Sequence, residues 1–72
     1  MVNIKLLKEK IRIKGYGPNS LAKKIGVDAS TIYRRYANNG ADFTIEEVQA
    51  IADALDLTNV EFNNIFFPHR VA

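Results

Sequence analysis

The sequence predicts an all-α protein, a compact five-helix bundle, and three observations carry that prediction. Apolar residues recur three and four positions apart in five separate segments, which is the spacing of one face of an α-helix. Glycine, proline and side-chain capping pairs punctuate the chain where each periodic segment begins or ends. No stretch alternates apolar and polar residues as a half-buried strand would, and there is no internal repeat or low-complexity segment.

The first helix is expected over about residues 4–14. Asn3 can cap it, and Ile4, Leu7 and Ile11 form its apolar row, with Leu6 and Ile13 in a weaker second row. "KGYGP" should end it, because Gly15 and Gly17 suit a left-handed turn and Pro18 cannot continue a helix. Pro18 is better placed as the first residue of the second helix, about 18–25, where its missing N–H costs nothing and Gly17 precedes it as the cap. Leu21, Ala22 and Ile25 make the inner side of that helix, Ala22 being small enough to let another helix approach, while Lys23 and Lys24 point outward. Gly26 ends it and Val27 turns inward. Asp28 can then accept N–H groups at the start of a third helix, about 29–37. In "ASTIYRRYA" the i, i+4 pair Ile32 and Tyr36 suits the core, which leaves Ala29, Ser30, Tyr33 and Arg34 outside.

"NNGAD" breaks the chain. Thr44 with Glu47 forms a capping box ahead of Ile45, Val48, Ile51, Ala52 and Leu55, a fourth helix over about 45–55. Thr58 with Glu61 repeats the box before a fifth helix, about 59–66, whose inner side is Phe62, Ile65 and Phe66 and which Pro68 ends.

With 72 residues the chain holds one domain, residues 1–72, and a small core. It has no cysteine, so neither a disulfide framework nor a thiolate metal site is available, and stability rests on helix packing or association. No apolar run reaches the roughly 20 residues that span a bilayer. "MVNIKLLKEK" lacks the apolar block and cleavage site of a secretory signal, so a cytoplasmic protein away from any membrane is expected.

The net charge of +2 hides a sharp asymmetry. Residues 1–40 carry nine of the ten Lys and Arg against Glu9 and Asp28, a net +7, whereas residues 41–72 carry Arg70 against six carboxylates, a net −5. A dipolar chain of this kind can present a basic face to a polyanion while its other face is repelled, although solvated helix faces with no partner would give the same count.

Two short helices joined by a tight Gly-containing turn, the second with an Arg-bearing outer face, make a helix-turn-helix. The residues Leu21, Ala22, Gly26, Val27, Ser30, Thr31, Ile32, Ala52, Ala54 and Leu55, in that order, resemble the helix-turn-helix domain of phage Cro proteins and lambda-type repressors over about residues 4–66. The resemblance implies that the third helix lies in the DNA major groove while the second crosses the backbone. It places Ala29, Ser30 and Arg34 over base edges, with Thr31 and Tyr33 beside them, and Arg34 is suited to the O6 and N7 of guanine. Phosphate contacts are expected from Asn19, Ser20, Lys23, Arg35, Asn38 and Asn39. Two alternatives stay open: Tyr33 as an exposed ring packed along its own helix, and Arg35 in a surface ion pair. The chain departs from the family where Pro18 replaces a phosphate-holding Gln, and where "YANNG" with Arg35 alters the register after the third helix.

"EFNNIFFPHRVA" has more apolar mass than a short helix hides, which makes Val60, Phe66 and Phe67 a candidate protein interface, for a homodimer in particular, unless the rings complete the core. His69 reads as a tail residue, and no metal or cofactor is expected. Two functions compete: a Cro-like, sequence-specific regulator bound to a double-stranded DNA operator, from a temperate phage or prophage switch, and an antirepressor that keeps the fold but captures a partner repressor protein. Nothing in the sequence supplies a catalytic constellation, so no enzyme is expected.

Overall fold

In the computed structural model, which describes residues 2–70, five α-helices follow one another: α1 (Ile4–Ile13), α2 (Pro18–Ile25), α3 (Ala29–Ala37), α4 (Ile45–Leu55) and α5 (Asn59–Phe66). A short 3-10 turn over Pro68–Arg70, not foreseen in the sequence, contains the exposed His69. No strand occurs among the described residues.

The helix ends show why the boundaries were readable. Asn3 Oδ1 accepts from the Leu6 N–H at 3.1 Å. Thr44 and Glu47 exchange backbone N–H groups in a complete capping box, as do Thr58 and Glu61. Gly26, at φ 81°, closes α2 in the left-handed conformation that a Cβ disfavours. Three details differ from expectation. α1 stops at Ile13, where the Lys14 N–H turns back onto the Lys10 and Arg12 carbonyls. Gly17 is extended rather than left-handed, and its N–H donates to Ser20 Oγ at 2.9 Å. Asp28 precedes α3 without a side-chain cap, since only its carbonyl accepts, from the Thr31 N–H.

The core is Leu7 and Ile11 of α1, Leu21 and Ala22 of α2, Ile32 of α3, Ile51 and Leu55 of α4, and Ile65 and Phe66 of α5. Each fully buried Leu or Ile contributes about 1.5–3 kcal/mol of transfer free energy. α2 packs on both α3 and α4, and α1 lies against α5, tied at its start by the Asn3 N–H donating to the Ile65 carbonyl at 2.7 Å. Phe66 sits in a ring cluster, edge-on to Phe43 at 6.4 Å and tilted against Phe62 at 5.0 Å, with Phe67 beyond Phe62. Phe66, expected as a candidate interface residue, is therefore a core residue: the ring completes the undersized core and is not available on the surface. Ile45 moves the other way. Its place in the apolar row of the fourth helix predicted burial, but at the first helical position it lies beyond the reach of the bundle and is 80% exposed.

Candidate nucleic-acid interface

α2 and α3 are joined by three residues, Gly26 to Asp28, and the burial of Leu21, Ala22 and Ile32 fixes which side of α3 remains outside. Ser30, Tyr33 and Arg34 emerge together on that outer side. The Arg34 guanidinium forms no ion pair among the described residues, and its Nη2 donates only to Thr31 Oγ1, at 3.2 Å, one turn back. Such a tether restricts the side chain while leaving most of its five donors free. Ala29 and Thr31 are half-buried, Ala29 against the core, so these two expected base readers sit at the edge of the exposed face rather than at its centre. Tyr33 is 55% exposed.

Among the residues expected at phosphates, Asn19, Ser20 and Lys23 are exposed on α2 and Asn38 and Asn39 in the turn after α3. Ser20 also receives the Gly17 N–H, and the Asn38 side-chain amide donates to the Asp42 carboxylate, so neither group is idle. Asn39 holds φ 56°, a left-handed turn position that Asn tolerates.

Arg35 takes the ion-pair alternative. Its Nε and Nη2 donate to both Glu47 oxygens at 2.9 Å, a two-pronged pair in which the side chains retain only 18% and 13% of their exposure. The hydrogen bond from Arg35 holds the Glu47 carboxyl below its ordinary range, helped by the Thr44 N–H, and Glu47 in turn raises the Arg35 guanidinium. As a phosphate ligand Arg35 is thereby displaced: its fork is committed to α4, where it locks the last turn of α3 to the first turn of α4. The capping role of Glu47 was legible as a Thr-x-x-Glu pattern. Its second role was not, because pairing with a residue twelve positions away leaves no local signature.

Tyr36 packs toward the core as expected, and the ammonium of Lys8 lies 4.8 Å above its ring. The Tyr36 hydroxyl is buried and finds no hydrogen-bond partner among the described residues, and burial pushes its pKa up. No group of three or more His, Cys, Asp or Glu side chains converges in metal-binding fashion among the described residues.

A short helix packed on a second whose outer face is polar and carries an arginine fork outside any ion pair among the described residues defines a DNA-binding helix-turn-helix protein. Residues 6–64 match the model of the Cro/C1-type HTH DNA-binding domain, and the chain belongs to that family. No curated protein and no solved structure matches the chain. No helix among the described residues is long and apolar enough to cross a membrane.

Proposed function

We propose that this protein is a Cro-like transcriptional regulator that reads a double-stranded DNA operator in sequence-specific fashion, as part of a temperate phage or prophage switch, and acts by occupying its site. The observation that carries the reading is the outer face of α3, where Ser30, Tyr33 and Arg34 stand together beside Ala29 and Thr31, with Arg34 outside any ion pair among the described residues. Arg34 reads a guanine, and Asn19, Ser20, Lys23, Asn38 and Asn39 supply positioning contacts to phosphates. Selection of binding sites from randomised duplexes tests this directly. Arg34→Ala should abolish the preference at one base pair per half-site, a loss of about 1–3 kcal/mol of discrimination, while the fold is retained. An unchanged preference in that variant would remove Arg34 from the site.

The same reading includes a homodimer, since two basic modules on successive major grooves multiply the effective concentration at the operator. The exposed Ile45 and Val60 support a protein contact on the α4 and α5 side. Those two side chains also favour a second reading, an antirepressor that captures a repressor protein. It predicts a stoichiometric complex with the repressor and DNA affinity that shows no sequence preference.

A further inference from the structure

Beside the start of α2, between α1 and α3, a cleft of about 640 Å³ is lined by Lys8, Arg12, Tyr16, Pro18, Tyr33 and Tyr36 among others. We propose that this cleft holds a phosphodiester and its deoxyribose from the DNA backbone flanking the bases read by α3, with Lys8 and Arg12 as the cationic partners and Tyr16 and Tyr33 as hydroxyl donors. The proposal rests on the DNA-binding reading of α3 and adds a contact outside the helix-turn-helix itself.

Charge is the first argument. Among the described residues, Lys8 and Arg12 are the only charged ones lining the cleft, no carboxylate joins them, and neither takes part in an ion pair. Two other cations of the basic half are already neutralised, Lys10 by Glu61 at 2.7 Å and Arg35 by Glu47. Lys8 and Arg12 stand four residues apart on α1 and so share one face of it. The ring of Tyr36 beneath Lys8 holds that ammonium at the cleft instead of letting it range through solvent.

Position is the second argument. Tyr33 belongs both to the exposed face of α3 and to the wall of the cleft, so a DNA strand leaving the reading face toward α2 crosses the cleft directly. The first turn of α2 lacks two of the donors a helix start usually offers an anion, because Pro18 has no N–H and the Gly17 N–H is taken by Ser20 Oγ, which leaves Asn19 and Ser20 to make its phosphate contacts. Cations from α1 replace the donors that this turn lacks. The apolar atoms of the tyrosine rings and Ile11 suit the sugar, which a free inorganic anion would leave uncovered.

The test compares wild type, Arg12→Gln, Lys8→Gln and Lys5→Gln, the last removing the same charge from α1 outside the cleft, on matched and scrambled duplexes over a range of salt. Circular dichroism and thermal melting first establish that each variant is folded. Arg12→Gln is expected to weaken matched and scrambled binding by the same factor, roughly fivefold, and to lower the slope of log affinity against log salt by about one. Lys5→Gln should leave that slope unchanged. Ethylation interference should show one phosphate, flanking the bases read by α3, whose modification blocks wild type and no longer matters to Arg12→Gln. A slope in Arg12→Gln equal to that of wild type, or a loss matched by Lys5→Gln, overturns the proposal while leaving the α3 reading intact. Wild type that binds neither duplex overturns both.

Discussion

Glu47 illustrates how one side chain can serve two elements. One carboxylate caps α4 through the Thr44 N–H and grips Arg35 of α3, so its removal releases the last turn of α3 as well as a helix end. Glu47→Gln should lower stability by about 1–2 kcal/mol, between the cost of breaking an exposed and a buried pair, read as a fall in the midpoint of urea unfolding. The sign of the pH dependence follows from the depressed carboxyls. Glu61, hydrogen-bonded to Lys10 and to the Thr58 N–H, is lowered from 4.5 to about 2, and Glu47 is lowered for the corresponding reason. A carboxylate whose folded pKa is depressed contributes its stability in full above the ordinary value and loses it as pH falls through the folded one. Melting temperature should therefore decline from about pH 4.5 toward pH 2, and Glu61→Gln should flatten that decline. Tyr36→Phe should raise stability by about 1 kcal/mol, because the hydroxyl it deletes is buried without a partner among the described residues. A melting temperature lowered by that substitution would show that the hydroxyl is satisfied. At this scale the sequence was informative about identity and weak about partners. Arg34, Ser30 and Tyr33 could be placed outside from helical spacing alone, whereas the pairs Arg35–Glu47 and Lys10–Glu61 join residues far apart in the chain and emerge only when the helices pack.

The helices themselves were legible to within a residue, because their boundaries are set by local chemistry: Asn3, Thr44 and Thr58 cap with side-chain oxygens, and Gly26 closes α2 with a left-handed turn. Where an element depends on what lies across from it, periodicity misled. Ile45 continues the apolar row of α4 yet reaches past the core, whereas Phe66, which periodicity put on the inner side of α5 and the apolar mass of the C-terminus made an interface candidate, packs against Phe43 and Phe62 in the core. The turn between α3 and α4 carries a constraint of the same kind. Gly40 is buried at φ 77°, and a Cβ there would stand 2.6 Å from Val2 Cβ. Gly40→Ala should cost roughly 2 kcal/mol or more, from the left-handed backbone and the clash together, seen as a lower unfolding midpoint. Ala22, 1% exposed where α2 meets its neighbours, admits no charge, and Ala22→Glu should leave the chain unfolded by circular dichroism. A folded Ala22→Glu protein would contradict the placement of α2 against α3 and α4.

At the scale of the molecule, the charge split of +7 over residues 1–40 and −5 over residues 41–72 assigns the basic charge to the three helices that build the candidate interface and the acidic charge to α4 and α5. Such a dipole orients the domain toward a polyanion before contact and keeps the α4 and α5 side away from it. That side carries the exposed Ile45 and Val60. If they support a dimer, Ile45→Lys with Val60→Lys should shift sedimentation to the monomer and weaken binding to a two-half-site operator far more than binding to a single half-site. The measurement that tests the central claim most directly is a fluorescence-anisotropy titration with duplex DNA from the intergenic region beside the gene, against scrambled duplex, at two salt concentrations. The account predicts tight binding to the intergenic duplex, a clear preference over the scrambled one, and a steep loss of affinity at the higher salt. Weak binding with no preference between the duplexes would contradict it.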